Sequence, residues 1–174
     1  MTAFTNFENL LQAHSEMKKR FRLEATDLFK SITKEFFDEN PGITAIHWTQ
    51  YTPYFNDGDV CEFRVNEIHF TNCPIDSLDD INSWGEYEGD DDDVISVNSN
   101  IEYILDNAHS YYKKSKEGLN KLINEEKIDI TSIKKFAEIV ESPEMEDVML
   151  ELFGDHVSVT ATRDGFSAED LEHD

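Results

Sequence analysis

The chain has 174 residues, of which 38 are Asp or Glu and 15 are Lys or Arg, giving a formal net charge of −23. So negative a protein attracts cationic surfaces and repels phosphate, which argues against direct binding of nucleic acid. Its 12 Phe, 6 Tyr and 2 Trp exclude a disordered acidic tail. The sequence contains no run of about 18 apolar residues, so no membrane span is predicted.

Residues 6–38 are predicted to form one long amphipathic helix. A capping box of Thr5 and Glu8 is expected to begin it, and the turn-forming run from Asn40 to Gly42 to end it. Apolar side chains recur at three- and four-residue steps on a stripe that we expect to face the core, with His14 as a core histidine. The stripe consists of Phe7, Leu10, His14, Met17, Phe21, Ala25, Leu28, Ile32 and Phe36.

Residues 43–72 change to the pattern of a β-hairpin. Asp57-Gly58 predicts a two-residue turn, since glycine tolerates the positive φ that such turns need. Pairing about this turn places Cys61, Phe63 and Val65 opposite Tyr54, Thr52 and Gln50, respectively. The alternation of apolar residues slips after Val65, which predicts a bulge near Asn66-Glu67.

The second half of the chain is predicted to be mainly helical. Residues 73–98 read as irregular, and a second long helix is expected from Ile101 to Ile123, followed by short helices that begin at Thr131 or Ser132 and at Ser142-Pro143. Residues 156–163 alternate as a strand that joins the hairpin, and the tail 168–174 is expected to fray. The predicted fold is a single α+β domain, residues 1–174, in which a small antiparallel sheet packs against two long helices and shorter ones.

The negative charge is segregated along the chain. Residues 36–110 contain 17 acids and one base, and residues 141–174 contain 11 acids and one base. The remaining segments are slightly basic, with clusters on the two long helices that we expect to offset local acids. These clusters are Lys18, Lys19, Arg20 and Arg22 on the first helix and Lys113, Lys114, Lys116 and Lys121 on the second.

Two groups of carboxylates are candidates for binding a partner. The first follows the hairpin and comprises Asp76, Asp79, Asp80, Glu86, Glu88, Asp90, Asp91, Asp92 and Asp93. The second falls on one predicted short helix and comprises Glu144, Glu146, Asp147 and Glu151. A solvated loop and a divalent-metal loop are the alternatives for Asp90–Asp93, but the spacing does not fit an EF-hand.

Neither zinc binding nor catalysis is predicted. Cys61, His69 and Cys73, with His47 on the neighbouring strand, could ligate zinc in principle, but their spacing matches no usual structural site. Both cysteines are interpreted as reduced core residues, which suits a cytoplasmic location and the absence of a secretory signal pattern. The chain contains no nucleophile elbow, P-loop or other catalytic motif, so no catalytic residue, metal or cofactor is assigned.

Three stretches carry a resemblance to a family. They are ITAIHWTQYTPYFNDGDVCEF (43–63), SWGEYE (83–88) and FGDHVSVTATRDGF (153–166). They resemble uncharacterised acidic proteins of tailed bacteriophages. The resemblance implies expression in a host bacterial cytoplasm and favours small proteins that block a host factor, some of which imitate the charge of DNA. It assigns no role to any residue.

The sequence therefore predicts a non-enzymatic acidic protein that binds a basic, nucleic-acid-binding surface of another protein. An immunity protein or antitoxin against a basic toxin follows the same charge logic and remains an alternative. A metal-binding protein or enzyme that uses the Asp-rich loop is the alternative from another class. The oligomeric state is not predicted.

Overall fold

The computed structural model describes residues 2–55, 58, 60–106, 109 and 113–171. It shows the predicted α+β fold, with one five-stranded antiparallel sheet and several helices. The strands are β1 (Ala45–Tyr51), β2 (Arg64–Thr71), β3 (Ser96–Asn98), β4 (Val157–Thr162) and β5 (Gly165–Asp170). The α-helices are α1 (Ala3–Glu39), α2 (Ile101–Asp106), α3 (Lys113–Asn124), α4 (Ile130–Val140) and α5 (Glu146–Phe153).

Helix α1 begins earlier than predicted. Thr2 is the N-cap, because its backbone is extended and its side chain accepts a hydrogen bond from the Thr5 backbone N–H at 3.3 Å. Thr5 already lies inside the helix, so the predicted capping box is wrong. The predicted end is confirmed: both the backbone N–H and the side-chain Nδ2 of Asn40 donate to the Phe36 carbonyl, each at 2.9 Å.

The predicted apolar stripe on α1 does not face the core over its length. Residues 6–21 are all exposed, and the buried side chains of α1 are Phe29, Thr33, Phe36 and Phe37. His14 is exposed, so its interpretation as a core histidine is wrong. The helix is longer than the body it packs on, which a pattern of side chains along one element does not reveal.

The sheet has the order β3-β2-β1-β4-β5. Gln50 pairs with Val65 as predicted, and the register of β1 on β2 shifts between His47 and Thr49, where Glu67 adopts a positive φ of 31°. This confirms the predicted bulge. The ladder ends at Tyr51 and Arg64, so the predicted pairs of Thr52 with Phe63 and of Tyr54 with Cys61 are wrong, and these residues belong to the 52–63 connection. Gly58 has a φ of 101°, whereas Asp57 lies outside the described residues.

The C-terminal strands are partly unexpected. Strand β4 is confirmed and pairs with β1, but the tail is not frayed through residue 171, because β5 pairs along the whole of β4 and Leu171 is buried. Residues 172–174 lie outside the described part of the chain. Strand β3 and a 3₁₀ helix over Ile75–Asp80 add structure to the segment predicted as irregular.

The helices after β3 differ from prediction in detail. The second long helix is described in two parts, α2 and α3, and His109 between them is not helical. Asp129 caps α4, accepting from the Thr131 N–H at 2.9 Å, so the cap is two residues earlier than the first predicted position. A 3₁₀ turn, Pro143–Met145, leads into α5, and Gly154 follows its end with a φ of 92°, as predicted.

The core lies between the helices and one face of the sheet. Trp48 is fully buried there and makes edge contacts with Phe29 of α1 and Phe153 of α5, at centroid distances of 6.4 and 5.6 Å. Phe36 and Phe136 extend this aromatic cluster towards Phe70. Among the described helices, none is long and apolar enough to cross a membrane.

Candidate functional site

The face of the sheet turned away from the helices is polar. Neighbouring strands place His47 opposite His69 and Thr160, and Thr49 opposite Ser158. All but Thr160 of these side chains are buried. The segment between β2 and β3, residues 72–95, covers the two histidines, since Ser83 contacts His47 and Gly85 lies against both rings. The same segment carries the first group of predicted acidic residues, so the sheet supports that group from beneath.

A small hairpin within this segment holds three of the carboxylates. Ile81 and Tyr87 form a bridge, and the Glu88 backbone N–H donates to the Asp80 carbonyl at 2.9 Å. The Asn82 side chain donates to carboxylate oxygens of Glu86 at 3.4 Å and Glu88 at 2.9 Å. We call residues 80–88 the acidic hairpin; its own hydrogen bonds fix Glu86 and Glu88 beside each other.

The tip of the acidic hairpin is fastened to the sheet. The Ser83 carbonyl lies 3.0 Å from Nε2 of His47, and the Ser96 hydroxyl donates to the Gly85 carbonyl. Gly85 is buried with a φ of 83°, and a Cβ there would lie 2.8 Å from Cγ of His69 and 3.0 Å from Cδ2 of His47. Only glycine permits this approach of the backbone to the two histidine rings.

The following turn presents the aspartate run. The Asp93 backbone N–H donates to the Asp91 carboxylate at 2.9 Å, and Asn72 holds the turn by donating to the Asp93 carbonyl at 3.0 Å. Helix α3 supplies two partners: Lys114 pairs with Asp92, and Lys121 approaches Asp93 at 3.4 Å. The hydrogen bond to Asp92 raises the pKa of Lys114.

A cleft of about 650 Å³ separates the acidic hairpin and aspartate turn from α2 and α3. Carboxylates of Glu86, Glu88, Asp91 and Asp92 line it, with His69 in its wall. Neither ring nitrogen of His69 has a hydrogen-bond partner among the described residues, and Glu67 is 3.7 Å from Nε2. Burial lowers the pKa of His69 although Glu67 opposes this, so the ring is neutral at pH 7.

His47 has a different environment from its neighbour. Its Nδ1 lies 3.0 Å from the Thr160 hydroxyl, and its Nε2 lies 3.0 Å from the Ser83 carbonyl. Burial lowers the pKa of His47 as well. Because both nitrogens already have protein partners, His47 links the sheet to the acidic hairpin through hydrogen bonds.

The structure brings the first acidic group together on one segment. Asp76, Asp79 and Asp80 lie on the 3₁₀ helix, Glu86 and Glu88 on the acidic hairpin, and the four aspartates on the turn that follows. Every member is exposed. We call these nine residues the acidic surface.

The second acidic group is partly neutralised within the molecule. Glu144 precedes α5 on the 3₁₀ turn, and the other three residues lie on α5 itself. Asp147 approaches Lys18 at 3.6 Å, and Glu151 approaches Arg22 at 3.4 Å, both across to α1. The expected role of the basic clusters in offsetting local acids is confirmed at these pairs and at Lys114 and Lys121.

The histidine and cysteine pattern does not converge on a metal site in the described residues. No group of three or more His, Cys, Asp or Glu side chains in that part of the chain is arranged to hold a metal ion. Cys73 is buried as predicted, and its thiol donates to the Ser77 carbonyl at 3.2 Å. Cys61 is only half-buried, because it lies in the 52–63 connection and outside the ladder.

Sequence reasoning did not identify His69 as part of the acidic cleft. The register that pairs His47 with His69 follows from the bulge, but the covering of both by residues 72–95 depends on contacts between distant segments. The one local signal was Gly85, a glycine within SWGEYE that permits close approach.

A scan against protein-family models found no match to the chain, and searches of curated proteins and of solved structures also found none.

Proposed function

We propose that the protein is a non-enzymatic acidic binding protein that occupies a basic, nucleic-acid-binding surface of another protein. The observation that carries the proposal is the acidic surface: nine exposed carboxylates on one segment, held in place by hydrogen bonds to the segment itself and to the sheet. The proposal includes a bacterial cytoplasm as the location, which rests on the resemblance to phage proteins.

Fixed carboxylates suit this role physically. Duplex DNA carries about one negative charge per 1.7 Å of helix axis, so a protein groove that binds it presents closely spaced cations. Carboxylates on an ordered loop meet those cations with little entropy lost on binding, since Asn82 accepts from the Trp84 and Glu86 backbone N–H groups and Asn72 donates to the Asp93 carbonyl. The surrounding field of net charge −23 accelerates the encounter.

The acidic surface is a better candidate than α5 for this contact. The pairs of Asp147 with Lys18 and of Glu151 with Arg22 place positive charge beside the α5 carboxylates. A cationic partner at α5 would have to compete with these side chains, and the same holds at Asp92 and Asp93, which pair with Lys114 and Lys121. The hairpin carboxylates of Glu86 and Glu88 instead accept from the uncharged Asn82.

The open cleft gives the acidic surface a recess for a long cationic side chain. Its carboxylates can pair with a guanidinium or ammonium group. Lys114 already reaches Asp92 from the side of α3, which shows that a lysine side chain is compatible with this edge.

The test uses the immobilised chain and a bacterial lysate at low salt. Proteins that elute as salt rises are purified, and their association is then measured with the parent and with a variant carrying Asp90→Asn, Asp91→Asn, Asp92→Asn and Asp93→Asn. Asparagine keeps the side-chain oxygen that accepts from the Asp93 N–H, so the turn is retained. We expect a basic partner, a slower association rate for the variant, and competition with duplex DNA for the same partner.

A matched control removes four charges at the other site, with Glu144→Gln, Glu146→Gln, Asp147→Asn and Glu151→Gln. This control should slow association less than the aspartate variant. The proposal is overturned if the partner holds DNA and this protein simultaneously, or if its affinity is unchanged when salt shortens the Debye length to about 8 Å at 0.15 M.

A further inference from the structure

The N-terminal part of α1 extends beyond the core. Residues 6–21 are all exposed, and the first fully buried side chain of the helix is Phe29. Sixteen residues span about 24 Å at a rise of 1.5 Å per residue. A helix segment of this length is marginal in water without packing, because most helical stability in proteins comes from a buried apolar face.

This segment nevertheless carries large apolar side chains. Phe7, Leu10, Met17 and Phe21 are 61%, 63%, 67% and 46% exposed, and their spacing fills the a and d positions of consecutive heptads, with His14 at the central a position. The next d position is Glu24, and Leu28 at the following a position is 63% exposed, although its neighbour Phe29 is buried. We call Phe7, Leu10, His14, Met17, Phe21 and Leu28 the heptad stripe. A 3.5-residue repeat is typical of a coiled-coil seam.

The heptad stripe lies on a different side of α1 from the core. Leu28 and Phe29 point about 100° apart around the helix axis. Lys18 and Arg22 stand eleven and seven residues before Phe29, on its side of the helix, and this is the side that meets α5 through Asp147 and Glu151. The packing that supports α1 therefore leaves the heptad stripe uncovered by the described residues.

The charges along α1 indicate a second copy of the chain in antiparallel orientation. Residues 2–16 carry two acids, Glu8 and Glu16, and no base, whereas residues 17–23 carry four bases and no acid. Parallel pairing would place both four-base clusters side by side and would also bring together the acidic bodies of two chains, each chain having a net charge of −23. Antiparallel pairing sets each basic cluster beside the acidic segment of the other chain and holds the two bodies at opposite ends.

The heptad stripe also matches itself in this orientation. A pair of apolar residues lies on each side of His14, Phe7 with Leu10 before it and Met17 with Phe21 after it. An antiparallel copy therefore places apolar side chains against apolar ones on both sides of the centre. A polar residue at a central a position restricts the register of a coiled coil at some cost in stability.

We propose that the chain forms an antiparallel homodimer through the heptad stripe of α1. The interface is separate from the acidic surface, so each dimer presents two acidic surfaces to its partners. This inference is independent of the proposed function.

Sedimentation velocity of the full chain at several concentrations tests the proposal. The parent should sediment as a dimer of the 20.1 kDa chain. Leu10→Glu with Met17→Glu places charge in the seam and should give a monomer, with at least a tenfold rise in the dissociation constant. His14→Leu replaces the polar central residue and should tighten the dimer.

The matched control is Asn9→Glu with Gln12→Glu. It adds the same two charges on exposed positions of the same helix away from the heptad stripe, and it should remain a dimer. A monomeric parent at 100 µM, or a dimer that survives Leu10→Glu with Met17→Glu, overturns the proposal. Thermal unfolding of the seam variant checks that the body still folds, which we expect because both positions are exposed.

Disulfide trapping tests the orientation in a Cys61→Ser background. His14→Cys lies near the centre of the seam and should form a disulfide-linked dimer on oxidation. Ala3→Cys lies at a d position near the helix start, and in the antiparallel arrangement its two copies are about 30 Å apart, beyond disulfide reach. Efficient cross-linking through Ala3→Cys would show parallel pairing and overturn the orientation.

Discussion

The two faces of the sheet carry different kinds of side chain, apolar on one face and polar on the other. On the helix face, Trp48, Phe70 and Val159 are fully buried among aromatic and aliphatic side chains. On the loop face, His47 and His69 are buried beneath a hydrogen-bonded segment whose outer side is acidic. The helix face gains its stability from the removal of apolar area from water, whereas the loop face depends on satisfied polar contacts and close backbone approach.

This difference separates stability from recognition. The helix face can change little without loss of folding, because its side chains fill a close-packed interior. The acidic surface consists of exposed side chains whose backbone is held by hydrogen bonds to the side chains of Asn72 and Asn82, so its charges can change while the loop keeps its form.

The largest effect should come from the helix face. Trp48→Ala removes an indole that contacts Phe29 and Phe153 and is expected to reduce the free energy of unfolding by about 3–5 kcal/mol. Urea denaturation followed by circular dichroism measures this. Trp84→Ala, at the half-exposed tip of the acidic hairpin, should reduce the free energy of unfolding much less. An equal reduction would contradict the conclusion that the helix face provides most of the stability.

Gly85→Ala should have the next largest effect. The new Cβ would lie 2.8 Å from His69 in a residue with a φ of 83°, and we expect a loss of about 2–3 kcal/mol from backbone strain and crowding together. Gly58→Ala is the control, because its φ is 101° but no atom of the described residues lies within 4 Å of the added Cβ. Gly58→Ala should cost about 1 kcal/mol from strain alone. Equal losses would show that the contact with the histidine rings is unimportant.

The buried histidines predict a pH dependence of stability. Burial lowers the pKa of His47 and of His69 below the ordinary value near 6.5. As the pH falls below about 6.5, the unfolded state takes up protons that the folded state resists, so stability present above this pH is progressively lost. The free energy of unfolding should therefore fall between pH 7.5 and pH 6.0.

Two substitutions test whether the buried histidines cause this pH dependence of stability. His69→Gln should reduce the slope of stability against pH, since it removes one of the two buried groups. His47→Gln should likewise reduce the slope, since it removes the other buried group. A parent protein that gains stability from pH 7.5 to pH 6.0 would show that relief of charge repulsion outweighs the histidines.

The smallest effect on stability should come from the aspartate turn. Replacing Asp90, Asp91, Asp92 and Asp93 with Asn relieves mutual repulsion and removes pairs with lysines that contribute little because they are exposed. The melting temperature should hold or rise slightly. A marked fall in the melting temperature would mean that the aspartate turn contributes to stability, and it would contradict the assignment of stability to the helix face.

Local signals in the sequence were sufficient for several features. Asn40 ends α1, the parity slip after Val65 marks the bulge, and Gly154 ends α5, because each depends on backbone preferences of a few adjacent residues. The alternation of residues 156–163 likewise predicted β4. The candidate acidic residues were also visible, since charge density is a property of the sequence itself.

Only the tertiary structure decided what these elements meet. It determined that Phe29 is buried and Leu28 is exposed, that residues 165–170 pair with β4, and that Lys18 and Arg22 lie beside the α5 acids. It also placed the acidic hairpin over His69. Each of these outcomes depends on contacts between residues far apart in the chain, whereas periodicity and turn chemistry report only on neighbours along it.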